Sequence, residues 1–252
     1  MSNSSLVSYT KISPNRTSPR NHKIDTISIH CAVGQFTAKQ LLNLSHFITY
    51  DSKNGASCNY AIGHDGSIGM GVEEKDRSWC TSSRSNDHRA ITIEVASEAK
   101  HPYKVTDKAY EALIDLLVDI CKRNKIAELK WEADKSLVGK IDKQNMTVHR
   151  WFANKSCPGE YLFSRHGQIA KDVNSRLNPP KNATKKSYKV DVDINNLNIR
   201  KGPGTNYAKT GKFTGKGIFT IVDESPGKGS VNGWGKLKSG AGWISLDFAK
   251  KI

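Results

Sequence analysis

Apolar and polar positions along the chain follow two different rhythms, and the change falls near residue 178. Before it, strand-like and helix-like runs take turns. Ile24-Asp-Thr-Ile-Ser-Ile-His30 is rich in β-branched residues and predicts a strand. Thr37 and Gln40 match a capping box, and Leu41, Leu44, Phe47 and Ile48 follow at helical spacing. The runs 59–62 and from Ile68 predict two strands joined by the Asp65-Gly66 turn. Residues 90–96 alternate, with Ile91, Ile93 and Val95 on one face and Glu94 on the other. Thr106 or Asp107 is expected to cap a long helix with the stripe Tyr110, Leu113, Ile114, Leu117 and Cys121. Residues 146–152 read as another β-like run. A last helix is expected from Pro158 through Leu162, Ile169, Val173 and Leu177. Strands of one sheet with helices between them give an α/β domain.

The second rhythm has no helical period. Short β runs at 188–192, 197–200, 218–222, 234–237 and 241–244 are separated by glycine-rich turns, which predicts a small all-β barrel. Between the two parts, a polar, basic stretch opened by two prolines reads as a linker. The expected organisation is therefore a first domain over 1–178, a linker over 179–187 and a second domain over 188–252.

Composition narrows the classes. A chain of 252 residues with 37% hydrophobic residues is long and apolar enough for one large core or two smaller ones. It has no apolar run that spans a bilayer, and no stable membrane association is expected. The N-terminal stretch lacks the apolar middle of a signal peptide, so synthesis in the cytoplasm without the ordinary secretory route is expected. The net charge of +15 favours polyanionic partners. From Lys181 onward there are 14 Lys and Arg against 5 Asp and Glu, a net of +9, so the smaller part is the more basic per residue. No nucleic-acid motif accompanies this charge, and nucleic acid is not expected as a partner. Cysteines at 31, 58, 80, 121 and 157 are odd in number and irregular in spacing, which argues against a disulfide framework.

Two of the eight histidines stand out. His30 ends an apolar strand, where α/β domains place their sites. His149 lies in the β-like run, eight residues before Cys157. With Pro158 at the first helical position, Cys157 becomes the N-cap, where the helix dipole favours a thiolate. Two imidazoles and a thiolate give zinc three protein ligands and leave a fourth position for water, the arrangement of a catalytic site. The other reading is an unrelated buried cysteine with two core histidines. Glu94 is either a general base or a solvated side chain on an exposed face. Lys155 is either an oxyanion partner or one more surface lysine.

At these residues the chain resembles a known family. Ile29-His30, Tyr60-Ala-Ile-Gly-His-Asp-Gly66, Thr92-Ile-Glu94, Val148-His149-Arg150 and Lys155-Ser-Cys157-Pro-Gly159 are similar to the zinc N-acetylmuramoyl-L-alanine amidases. That group includes many phage endolysins and the peptidoglycan recognition proteins. The resemblance spans most of residues 20–178. It implies His30, His149 and Cys157 as zinc ligands, catalytic roles for Glu94 and Lys155, peptidoglycan as substrate, and a mixed sheet flanked by helices. Many members carry a catalytic tyrosine where this chain has Cys58; others use a glutamate, which Glu94 matches. Tyr60 shares the face of Cys58 by parity and receives no role. Leu197-Asn-Ile-Arg-Lys-Gly-Pro-Gly-Thr-Asn-Tyr207, with Trp234 and Gly242-Trp-Ile244, resembles the bacterial SH3 domain, which implies cell-wall binding.

The expected function is hydrolysis of the amide between N-acetylmuramic acid and L-alanine by a zinc-activated water, in an endolysin or autolysin that acts on the wall after release. A cysteine peptidase with Cys31 or Cys157 as nucleophile is the alternative, separable by its tolerance of a chelator. A receptor that binds the wall without cutting it is a further rival. The family's binding-only members lack the zinc cysteine, and Cys157 is present here.

Overall fold

A computed structural model describes residues 2–179 and 187–252. The chain divides into two compact units, residues 1–179 and 180–252. Apart from Pro179 and Ser187, the linker expected over 179–187 lies outside the described residues.

Among its described residues the first unit holds eight strands: β1 (Tyr9–Thr10), β2 (Arg16–Thr17), β3 (Thr26–Cys31), β4 (Tyr60–Ile62), β5 (Ile68–Met70), β6 (Arg77–Ser78), β7 (Ala90–Val95) and β8 (Met146–Thr147). Six of them form one mixed sheet in the order β1-β5-β4-β7-β3-β8. Only β4 and β5 run antiparallel, across the turn where Gly66 takes φ +85°; the other pairings are parallel. The helices are α1 (Ala38–Leu42), α2 (Ser45–Ile48), α3 (Arg84–Arg89), α4 (Asp107–Asn124), α5 (Gly159–Phe163) and α6 (His166–Leu177).

The alternation of β3 and β7 sorts the chemistry. Ile27, Ile29, Ile91, Ile93 and Val95 pack into one core with Leu113, Ile114, Leu117 and Ile120 of α4 and Ile169 and Val173 of α6. Ser28, His30, Thr92 and Glu94 have the opposite parity. Thr106 caps α4 by accepting from the Ala109 amide. The capping box at Thr37 and Gln40 is present, but α1 stops at Leu42 and a separate turn, α2, carries Phe47 into a smaller cluster.

Three local expectations are corrected. The last helix is two helices, broken at Ser164 and Arg165, and Pro158 is the N-cap residue of α5 rather than its first helical residue. Cys157 therefore precedes the cap and gains nothing from a helix dipole. The β-like run at 146–152 is a two-residue strand followed by a 3-10 turn at His149–Trp151. Cys58 and Tyr60 do not share surroundings. Tyr60 packs in the helix-side core, whereas Cys58 joins Ala38, Leu41, Phe47 and Ala61. The cause is Asn59: its side-chain oxygen accepts from the Thr92 amide at 3.1 Å, and its own amide donates to Thr92 Oγ1 at 3.1 Å. Side chains replace ladder bonds there, so strand alternation does not reach residue 58.

The second unit is all-β and antiparallel. Its strands are β9 (Tyr188–Val192), β10 (Asn198–Arg200), β11 (Lys209–Phe213), β12 (Gly217–Ser225), β13 (Trp234–Leu237), β14 (Trp243–Ser245) and β15 (Lys250–Lys251). They form one sheet in the order β11-β10-β14-β13-β12-β9-β15. Val190, Val192, Leu197, Ile199, Ile221, Leu237 and Ile244 make its core. The two strands that the sequence pattern does not show, β11 and β15, lie at the sheet's ends and carry exposed lysines, a usual protection of strand edges.

A buried carboxylate fastens the N-terminal segment to β4 and α4. Glu74 accepts from the Tyr60 hydroxyl at 2.6 Å and from Asn124 at 2.9 Å, and pairs with Arg123 of α4 at 2.7 Å. The Ser4 amide donates to the same tyrosine oxygen at 3.0 Å, so the N-terminal segment joins this network. Without Glu74, Arg123 keeps Asp119 at 2.8 Å, but the buried Tyr60 hydroxyl loses its acceptor, at a cost of about 1–3 kcal/mol. Glu74→Ala is expected to destabilise the protein by about 2 kcal/mol in urea unfolding, and a loss under about 0.5 kcal/mol would contradict this role.

Candidate metal centre and active site

β3 and β7 lie side by side in parallel register, with His30 opposite Glu94. On the other side of β7, Ala61 of β4 is opposite Glu94. The alanine leaves room above the sheet that a larger residue would fill. His30 Nδ1 stands 3.7 Å from Glu94 Oε1. This is no ion pair at neutral pH, because burial, then the neighbouring His149 and His166, pull His30 down to about 3.

The remaining residues arrive from the 3-10 turn and the segment before α5. Cys157 Sγ lies 3.3 Å from His30 Nδ1, and the rings of His30 and His149 have centroids 5.2 Å apart. One ligand atom from each of His30, His149 and Cys157 falls within 4.8 Å of the others. The predicted ligand residues, drawn from three places in the sequence, thus converge. Lys155 is exposed, and its charge reaches His149, whose pKa is lowered first by burial and then by this lysine.

Both imidazoles are held by hydroxyls. His30 Nε2 meets Ser28 Oγ at 3.3 Å, and Ser28 donates to the Thr147 carbonyl. His149 Nε2 meets Ser82 Oγ at 3.0 Å. Ser82 has φ +61°, in the left-handed region, inside a loop fastened by Asp87. That carboxylate accepts from the Cys80 amide at 3.1 Å and from the Thr81 hydroxyl at 2.6 Å. Ser28 and Ser82 escape the sequence reading, since a serine near a histidine in space leaves no trace in spacing. For Ser28 the only signal is its place two residues before His30 on one strand.

Glu94 is neither of its two sequence readings in simple form. Its side chain is 14% exposed, yet Oε2 is buried without a hydrogen-bond partner. Oε1 accepts from Cys80 Sγ at 3.8 Å. Burial raises the carboxyl to about 7, partly offset by the Cys80 contact. Cys58 lies close enough that Glu94 helps burial raise its thiol. Tyr60 points into the core and bonds Glu74, which removes it from the site.

The donor set fits zinc. Burial keeps His30 neutral, as a ligand must be, and a sulfur and two nitrogens suit this ion. The Cys31 contact and then burial raise the Cys157 thiol, the opposite of the dipole effect expected from sequence, so here a cation rather than a helix end would favour the thiolate. His166 is not part of the set. It is buried under Trp131, with ring centroids 4.5 Å apart, and its Nδ1 bonds the Leu162 carbonyl. A groove of about 1090 Å³ between residues 129–143 and α6 contains none of the site residues.

No curated protein matches the chain. Among solved structures, PlyL is 18% identical, covering 66% of this chain and 96% of its own, with a TM-score of 0.49. An AmpD derivative is 17% identical, covering 68% and 99%, with a TM-score of 0.49. The endolysin amidase LysCS from Clostridium intestinale URNW is 16% identical, covering 67% and 97%, with a TM-score of 0.45. The family assignment rests instead on the match of residues 20–160. That span takes in more than half of the chain, His30 and Cys157 included, and makes this protein a member of the N-acetylmuramoyl-L-alanine amidase family.

Proposed function

We propose that His30, His149 and Cys157 hold a zinc ion and that Glu94 and Lys155 serve the hydrolysis of the amide joining N-acetylmuramic acid to L-alanine in peptidoglycan. The convergence of the two imidazoles and the thiol beside the unpartnered oxygen of Glu94 carries this reading. Zinc bound there supplies a Lewis acid for the scissile carbonyl and makes water acidic enough to react near neutral pH. Ser28 and Ser82 fix the two rings through their Nε2 atoms, which leaves Nδ1 of each free to bind. Glu94 takes the proton of the attacking water on Oε2 and returns it to the departing amine of L-alanine. A carboxyl near 7 suits both halves of that transfer. Lys155 faces the negative charge that develops on the carbonyl oxygen.

The cysteine-peptidase alternative receives no support from the surroundings of the thiols. The Cys31 contact and then burial raise the Cys157 thiol, and Cys31 is itself buried, so neither candidate nucleophile is an exposed thiolate.

The second unit, residues 188–252, acts in this reading as a wall anchor of the bacterial SH3 type. It is basic and exposes Phe213, Ile218, Val231 and Phe248. The catalytic domain is residues 1–178, and the protein meets its substrate in the cell wall. No helix among the described residues is long and apolar enough to cross a membrane.

Four outcomes check these assignments. Glu94→Ala is expected to keep its zinc and lose roughly 10²- to 10⁴-fold in turnover, measured on a soluble muropeptide. Turnover within threefold of the parent would remove Glu94 from the reaction. EDTA is expected to abolish activity and zinc to restore it, and Cys157→Ser is expected to weaken zinc binding by at least about 10²-fold in a chelator competition. Unchanged affinity in that variant would take Cys157 out of the ligand set. A chain ending at residue 179 is expected to cut soluble muropeptides at the parental rate and to lyse whole cells more slowly, because the tether raises local concentration. Parallel losses on both substrates would show the second unit to be a stabiliser, and no loss on either would show that it is not an anchor for those cells.

A further inference from the structure

The donors around Glu94 exceed what one three-ligand zinc seat uses. His30, Cys80 and Glu94 also offer three ligand atoms within 4.8 Å of one another. Ligands about 2.0–2.3 Å from one ion at tetrahedral angles stand about 3.3–3.8 Å apart. His30 Nδ1 to Glu94 Oε1 is 3.7 Å, and Cys80 Sγ to Glu94 Oε1 is 3.8 Å. Both separations are edges of such a tetrahedron without any movement of the backbone. Glu94 Oε2 is buried without a partner, as a carboxylate awaiting a positive charge would be. Cys80 is itself fixed, since its amide donates to the buried Asp87 carboxylate at 3.1 Å.

We propose that the pocket contains a second, overlapping seat for a thiophilic divalent cation, formed by His30, Cys80 and Glu94. The inference rests on His30 being a metal ligand, as in the proposed function. Both seats use His30 Nδ1, the atom that faces Cys157 Sγ and Glu94 Oε1 alike, so one ion occupies one seat at a time. A cation in the second seat engages the carboxylate of Glu94 as a ligand. The carboxylate is then no longer free to accept a proton, and the seat is inhibitory. Cadmium is the probe for it, because one of its three donors is the Cys80 thiolate and that bond reports itself by absorption.

The test uses the full-length protein, stripped by chelator and titrated with Cd²⁺ alone. Binding is followed by thiolate-to-cadmium absorption and equilibrium dialysis, and folding by circular dichroism. Cys157→Ser removes the first seat and is expected to bind one cadmium with the absorption of a single thiolate. Adding Cys80→Ser to it is expected to abolish that absorption. His149→Ala also disables the first seat while keeping every thiol, and serves if the cysteine variant does not fold. In either background, cadmium is expected to slow alkylation of Cys80 at least tenfold, mapped by mass spectrometry. Equal alkylation of Cys80 with and without cadmium overturns the second seat, as does absorption that survives in the double variant. A parent chain that takes up no cation would instead refute the zinc reading, and the two failures are thereby distinct.

Discussion

The parallel register of β3 on β7 is the constraint on which the site depends. Six residue pairs run from Thr26 opposite Ala90 to Cys31 opposite Val95. Because side chains alternate with a period of two, this register sends the isoleucines of both strands to the helix side and His30 and Glu94 together to the other. A slip by one residue would set His30 against an isoleucine or a valine and bury the carboxylate in the core. The apolar packing of α4 and α6 thus fixes the chemistry indirectly, by making that slip expensive.

The site on the polar side of the sheet lacks charge of its own. His30 is neutral, burial raises Glu94, and the thiols of Cys58, Cys80 and Cys157 are all held above their ordinary range. Nothing inside this group supplies a positive charge, and Lys155 stands exposed at its edge. Such a pocket is poorly satisfied by itself and well matched to a dication, which would draw protons off the sulfurs and give the orphaned oxygen a partner.

Stability is arranged apart from this chemistry. Glu74, Tyr60 and Arg123 bind the N-terminal segment and α4 through a network on the far side of the sheet from Glu94. The tyrosine nearest the expected catalytic position is spent on that network. The second unit has its own core of seven buried side chains and shares none of the site residues.

Much of this was open to a reader of the sequence. Period-two and period-3.6 patterns gave the central strands, the long helix with its Thr106 cap and the all-β second unit, because burial of one face imposes those periods on any chain. The spacing of His149, Lys155 and Cys157 was also readable, since those residues are close in sequence. Short elements escaped. β11 and β15 are exposed edges without an apolar face, and the break before α6 follows from packing, not propensity. The setting of Cys157 is not legible in sequence, because one residue's shift of the helix start removes the dipole argument. Nor is that of Cys58, because Asn59 interrupts the ladder with its own side chain. Ser28, Ser82, Cys80 and the orphaned oxygen of Glu94 were decided by tertiary structure alone. Each takes its meaning from neighbours brought in by other strands and loops, and local sequence carries no record of what lies across a sheet.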